Sequence, residues 1–105
     1  MDEKTSYIPL GSVVRLKEGL QKLLVISRAI NVKNNDKTYF FDYGGVLYPE
    51  GLVGDQMVYF NHDSLDEVIF TGYDDDDNKA MLRSIEHYLE KNPDIERGDP
   101  QNWGK

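Results

Sequence analysis

The segment Tyr39–Asn61, YFFDYGGVLYPEGLVGDQMVYFN, constrains the fold more than any other part of the chain. Tyr39, Phe40, Phe41 and Tyr43 make one aromatic run, and Met57, Val58, Tyr59 and Phe60 make a second. Both consist of residues that fit a pleated, half-buried surface. Between the runs stand Gly44, Gly45, Pro49, Gly51 and Gly54. Glycine reaches positive φ without steric cost, so these positions are read as turns or bulges. Pro49 has no amide hydrogen to give to a ladder, which confines Leu47–Tyr48 to a short edge piece. The pattern predicts a strand, an irregular excursion pivoted on glycine, and a second strand. Such an excursion would carry Tyr48, Glu50 and Asp55 outward from a rigid base, a place where binding residues concentrate. The same glycines equally suit a corner of a small barrel, and the two roles are compatible.

Elsewhere the pattern is also mostly β. Val14 and Leu16 alternate with Arg15 and Lys17, the mark of a half-buried strand over Ser12–Lys17. Glu18-Gly19 is a turn. Lys22–Arg28 is apolar on both faces, which suits a central strand, and Ala29–Val32 can continue it. Lys33–Asp36 is a polar turn, followed by strands over Thr38–Tyr43 and Gln56–Asn61. His62-Asp63-Ser64 turns the chain into a fifth strand, Leu65–Gly72. Met81, Leu82, Ile85, Tyr88 and Leu89 then recur at helical spacing. Asp77 or Asn78 would cap that helix, and Asn92-Pro93 would end it. Its apolar stripe is expected to cover the domain's own sheet.

The expected fold is α+β, mainly β: a small antiparallel five-stranded sheet or SH3-like barrel with one C-terminal amphipathic helix. Residues 8–92 form one domain, residues 1–7 fray, and residues 93–105 make a flexible acidic and polar tail that includes Trp103.

The chain offers little chemistry. It contains no cysteine, which removes disulfides, thiolate metal sites and a thiol nucleophile. Its N-terminal residues lack the apolar stretch of a secretory signal, and no apolar run approaches the about 20 residues of a membrane span. The four aspartates Asp74–Asp77 do not make a calcium loop. In one register Lys79 stands where glycine is needed and Ile85 where glutamate is needed. In the next, Ala80 replaces the glycine and Lys79 takes a ligand position. They are read as a solvated acidic turn that favours the helix N-terminus. His62 and His87 have no second histidine at metal-binding spacing. No nucleophile elbow occurs, and Gly44-Gly45 does not continue into a phosphate loop. No catalytic, metal or cofactor site is expected.

Charge is divided unevenly. Residues 1–41 hold seven Lys/Arg and four Asp/Glu, net +3, whereas residues 42–105 hold five and fifteen, net −10, giving −7 for the chain. An acidic balance opposes nucleic-acid binding, which needs a concentrated basic face.

Several segments together resemble a known family. These are Pro9-Leu10-Gly11-Ser12-Val13-Val14, Phe41-Asp42-Tyr43, Leu47-Tyr48-Pro49-Glu50-Gly51, Tyr59-Phe60-Asn61-His62 and Asp66-Glu67-Val68. They are similar to small proteins of Gram-positive bacteria grouped as domain of unknown function 4176, over about residues 8–75. The resemblance implies a setting beside type VII secretion components and LXG toxins, and a non-enzymatic helper such as a chaperone or targeting adaptor. It brings no catalytic residues. Type VII substrates are helical hairpins with a WxG turn and a trailing YxxxD/E signal. Tyr73 and Asp77 match that second spacing, but they follow a strand, and Trp103-Gly104 is not between helices.

The resemblance therefore implies a helper that stays in the cytoplasm and binds a toxin or secretion component encoded nearby. An immunity protein that blocks a basic toxin is the second expectation, suited to the acidic latter part. The candidate protein-binding residues are Tyr43, Gly44, Gly45, Tyr48, Pro49, Glu50, Gly51 and Tyr59.

Overall fold

The computed structural model describes residues 6–100. Five strands form one antiparallel sheet: β1 (Val13–Leu16), β2 (Lys22–Asn34), β3 (Lys37–Tyr48), β4 (Val58–Phe60) and β5 (Leu65–Phe70). A 3-10 turn, His62–Ser64, joins β4 to β5, and helix α1 spans Asp76–Lys91. The spatial order is β4-β3-β2-β1-β5. The mainly β, α+β architecture expected from the sequence is therefore present. Among the described residues β4 and β5 form the two edges of an open sheet.

The longest strands are β2 and β3, joined at a two-residue turn. Asn35 and Asp36 both have positive φ, 53° and 69°. This is the primed turn whose twist matches two antiparallel strands, and Asn and Asp tolerate it best after glycine. From that turn the ladder runs from the pair Asn34↔Lys37 to the pair Lys22↔Tyr48. Two irregularities interrupt it. The register shifts between Val25 and Ser27. Ala29, lying between the pairs Arg28↔Tyr43 and Ile30↔Phe41, has φ 52°. Both bend the sheet around its core.

The sequence pattern reads Gly44 and Gly45 as turns or bulges, and the structure puts them inside β3, in the pairs Ser27↔Gly44 and Val25↔Gly45 that flank the register shift. Their role is close approach. A Cβ on Gly45 would stand 2.9 Å from the Leu24 carbonyl oxygen, and one on Gly44 would stand 2.8 Å from Met57 Cε. Strand β3 thus continues to Tyr48, and Leu47–Tyr48 is the end of a twelve-residue strand rather than an isolated piece. The turn role belongs to Gly51 and Gly54, with φ 83° and 62°.

One face of the sheet holds the core. Val14, Leu23, Val25, Tyr43 and Phe60 pack there with Tyr7 and with Ile85 of α1, and Leu82 and Leu89 complete the helix contact. Met81 and Tyr88 share the helical stripe but are exposed, so the stripe covers the sheet with only part of its width. The N-cap is Asp75, whose side chain accepts from Asn78 N at 3.0 Å, two or three residues ahead of the expected Asp77 or Asn78. Tyr7 belongs to the buried core, so the frayed segment expected over residues 1–7 does not extend to it.

The tail adds an element that its composition does not signal. Phe40 N donates to Glu96 O at 2.7 Å, and Gly98 N donates to Phe40 O at 2.9 Å. Glu96–Gly98 therefore lies parallel to β3 at Phe40, whereas β4 pairs with β3 at Tyr43–Gly45. The Arg97 guanidinium sits 5.0 Å over the Phe40 ring. Trp103 lies outside the described residues.

Two substitutions separate crowding from backbone strain. Gly45→Ala forces β2 and β3 apart and is expected to cost about 1–3 kcal/mol. Ala29→Gly relieves a left-handed alanine worth about 1–2 kcal/mol, but loosens the unfolded chain by a comparable amount. It is expected to stay near wild type. Urea unfolding of the two variants checks the contrast.

Candidate functional site

Asp42 is an anomaly in an aromatic strand. It is 2% exposed, between Phe41 and Tyr43. Its carboxylate is held by three donors. Tyr7 OH and Arg97 Nη1 reach Oδ1 at 2.8 and 2.7 Å, and the His62 backbone N–H reaches Oδ2 at 2.9 Å. The Asp42 amide in turn donates to Asn61 Oδ1 at 2.9 Å, while Asn61 Nδ2 donates to Gly98 O at 3.1 Å. One carboxylate and one carboxamide thereby tie together the N-terminal lead-in, β3, the 3-10 turn and the tail.

Aromatic rings close around this centre. His62 lies 4.5 Å from Tyr7 and 5.1 Å from Tyr43 between ring centroids, edge-on to both. Tyr43 stacks on Phe60 at 5.3 Å, and its hydroxyl accepts from the Ile8 amide at 2.9 Å. His62 Nδ1 is 3.2 Å from the same hydroxyl, and Nε2 faces Asp42 Oδ2 at 3.7 Å.

Burial sets the electrostatics. Burial, followed by the Asp42 charge, pushes the Tyr7 hydroxyl well above the usual phenol range. Burial raises Tyr43 to about 12 against the opposing hydrogen bond from Ile8. Burial also lowers His62 below its ordinary value and outweighs the attraction of Asp42, so the imidazole is neutral at pH 7. At Arg97 burial works against the charge, but the hydrogen bond and charge of Asp42 prevail and its value rises.

Between this cluster and α1 lies a pocket of about 370 Å³, with Tyr7, His62 and Arg97 on one side and Leu82, Glu86 and Leu89 on the other. Both ring nitrogens of His62 are turned toward protein groups, Tyr43 and Asp42, rather than into that pocket. No buried side-chain polar atom is left without a hydrogen-bond partner among the described residues. Such a saturated network positions chain segments.

At another end of the sheet, β3 leaves for β4. Tyr48, Pro49 and Glu50 are exposed there. The Gly51 amide donates to Leu47 O at 2.7 Å, and Gln56 N donates to Val53 O at 3.1 Å, which folds the loop on itself. Gln21, at the start of β2, donates through Nε2 to Tyr48 O at 2.8 Å and to Glu50 Oε1 at 3.4 Å. Lys22 Nζ lies 5.8 Å over the Tyr48 ring. Two loops are thus joined at one end of the molecule.

The candidate binding residues divide accordingly. Tyr48, Pro49, Glu50 and Gly51 come together in the loop. Tyr43 is fully buried and Gly44 and Gly45 are buried in the sheet, so these three do not join the loop surface. Tyr59 is half-buried and stacks on Phe41 at 5.4 Å. Three exposed apolar residues were not singled out from the sequence: Leu20, 96% exposed, and Leu52 and Val53, 55% and 56% exposed. A signal existed for the latter pair, because an apolar dipeptide enclosed by Gly51 and Gly54 has no strand in which to hide. The acidic turn is engaged locally. Asp74 accepts from Asn78 Nδ2 at 2.9 Å and faces Lys79 Nζ at 3.5 Å, and the Asn78 bond leads in holding its carboxyl below the usual range.

The family model described as Domain of unknown function (DUF4176) matches residues 7–81. The chain belongs to that family, and the match contains β1 to β5, the loop and the first turn of α1. Comparison with curated proteins and with solved structures gives no match.

Asp42→Ala strands three donors and is expected to cost about 3 kcal/mol. Arg97→Ala removes a half-exposed partner and is expected to cost about 1 kcal/mol or less. For His62 the folded state resists protonation, so the unfolded state binds more protons below the ordinary histidine value. Stability is full above that value and falls as pH drops through it. His62→Gln is expected to flatten this loss, and urea unfolding at neutral and mildly acidic pH measures it.

Proposed function

We propose that this member of the DUF4176 family is a non-enzymatic protein-binding module, acting in the cytoplasm as a chaperone or targeting adaptor for a type VII-secreted LXG-type toxin. The observation that carries the contact role is the apolar end built by two loops. Leu20, Tyr48, Leu52 and Val53 are all exposed there, on backbone held in place by Gln21 and by the hydrogen bonds of Gly51 and Gln56. Large apolar side chains clustered in solvent favour a partner's surface. The network around Asp42 supports the same view, since its polar atoms are spent on holding chain segments. The secretion setting comes from the family resemblance of the segments around Leu47–Gly51 and Tyr59–His62.

A second role fits the charge. The net −10 of residues 42–105 suits an immunity protein that covers the basic active site of a toxin. The two roles differ in which part of the toxin is held.

Co-purification with the separate halves of the neighbouring toxin distinguishes them. An adaptor retains the N-terminal LXG half, an immunity protein retains the toxic domain, and retention of neither ends both readings. Leu52→Ser combined with Val53→Ser removes about 2–3 kcal/mol of apolar contact and is expected to weaken the complex by at least about tenfold. The melting temperature of the free protein is expected to stay near wild type, because both side chains are already in solvent.

A further inference from the structure

The two edges of the sheet are finished differently. Strand β4 is three residues long, and where it stops, Glu96–Gly98 takes its place beside β3. Strand β5 is six residues long and, among the described residues, pairs only with β1. Asp66 to Phe70 are all exposed, and Phe70 is 61% exposed. A sheet edge of that length presents backbone donors and acceptors ready to take another strand. The half formed by Val68, Ile69 and Phe70 carries none of the charged or proline residues that usually blunt such an edge.

Along the chain the charge around β5 has one sign, although Arg15 of β1 stands beside it. From Asp63 to Asp77 the chain carries Asp63, Asp66, Glu67 and Asp74–Asp77, with no lysine or arginine among them. Glu67 is paired with Arg15 and Asp74 with Lys79, but Asp63 and Asp66 have no cation partner among the described residues. The apolar half of β5 is therefore bracketed along the chain by carboxylates.

We propose that the outer edge of β5 is a strand-addition site for an extended segment of a partner protein in which alternating apolar residues lie between basic flanks. Backbone hydrogen bonds to β5 would supply affinity, Val68, Ile69 and Phe70 would take the apolar side chains, and the carboxylates would select the flanks. A second copy of this chain is a poor occupant. Antiparallel pairing of β5 with itself over its full length lays Asp66 against Ile69 and Glu67 against Val68, and in-register parallel pairing sets Asp66 beside Asp66. The register of β5 against β1 also shifts at two places, between Val13 and Val14 and between Arg15 and Leu16. Bulges of this kind add local twist, which a pliable segment follows more readily than the preformed strand of another copy. The site is at the sheet edge remote from β4, so it stands or falls separately from the loop that joins β3 to β4.

The test uses the full chain and two synthetic peptides of alternating threonine and valine, one with two lysines at each end and one with two glutamates. Amide hydrogen exchange and chemical-shift titration read where each peptide binds. The lysine peptide is expected to slow exchange at Asp66–Phe70, and to bind at least about tenfold more weakly at about 0.5 M salt. The glutamate peptide is expected to be at least about tenfold weaker than the lysine peptide at low salt. Asp66→Lys, an exposed substitution, is expected to weaken the lysine peptide and strengthen the glutamate peptide. Leu52→Ser with Val53→Ser is expected to change neither. No binding of the lysine peptide up to about 1 mM overturns the proposal. So does equal binding of both peptides, protection elsewhere in the chain, or a dimer of the free protein with β5 already protected.

Discussion

A carboxylate buried among aromatic rings is tolerated only when donors replace the water it has lost. Asp42 meets that condition with donors drawn from three distant places: the hydroxyl of Tyr7, the backbone of His62 and the guanidinium of Arg97. None of these segments would be fixed by local preference. The lead-in before β1 has no secondary structure, the 3-10 turn is three residues long, and Arg97 lies beyond the helix. The cost of leaving Asp42 bare is therefore what orders them. The same condition explains why His62 stays neutral beside an anion: Tyr7 and Arg97 already answer the charge, and burial decides the rest.

How much of this was legible depends on the range of each interaction. Alternation at Val14 and Leu16, the apolar run of β2 and the helical spacing of Leu82, Ile85 and Leu89 are local patterns, and each gives the right element. The Asn35-Asp36 turn is legible for the same reason. Gly44 and Gly45 were legible as turn or bulge but not as close approach, because a glycine that grants positive φ and one that grants close approach look identical in sequence. Only the neighbouring strands, with Leu24 O and Met57 Cε in the way, tell them apart. Ala29 gives no warning at all, since nothing about alanine announces a left-handed backbone. The docking of Glu96–Gly98 was invisible because its reason lies at Phe40 and Asp42, more than fifty positions earlier in the chain.

The candidate site was half legible for a related reason. Tyr48, Pro49, Glu50 and Gly51 lie in an exposed loop as expected, because proline and glycine break a ladder wherever they stand. Tyr43 and Tyr59, taken with them by aromatic character, face inward or stack on Phe41. Aromatic rings serve cores and contact surfaces alike, and the sequence does not say which. Leu20 joins the surface only through Gln21 and its bond to Tyr48, a link between hairpins that no linear pattern contains.

Arg97 and the helix before it reach the ribosome's exit long after β3 has been made. Until residue 97 emerges, Asp42 lacks its guanidinium and the outer side of Phe40 lacks its cover, so an anion and a bare aromatic strand wait together in the nascent chain. Completion of this domain accordingly waits for residues 96–98 to emerge. A β-rich body assembled in this way has a vulnerable interval written into its order of residues, and the last dozen of those described here bring it to an end.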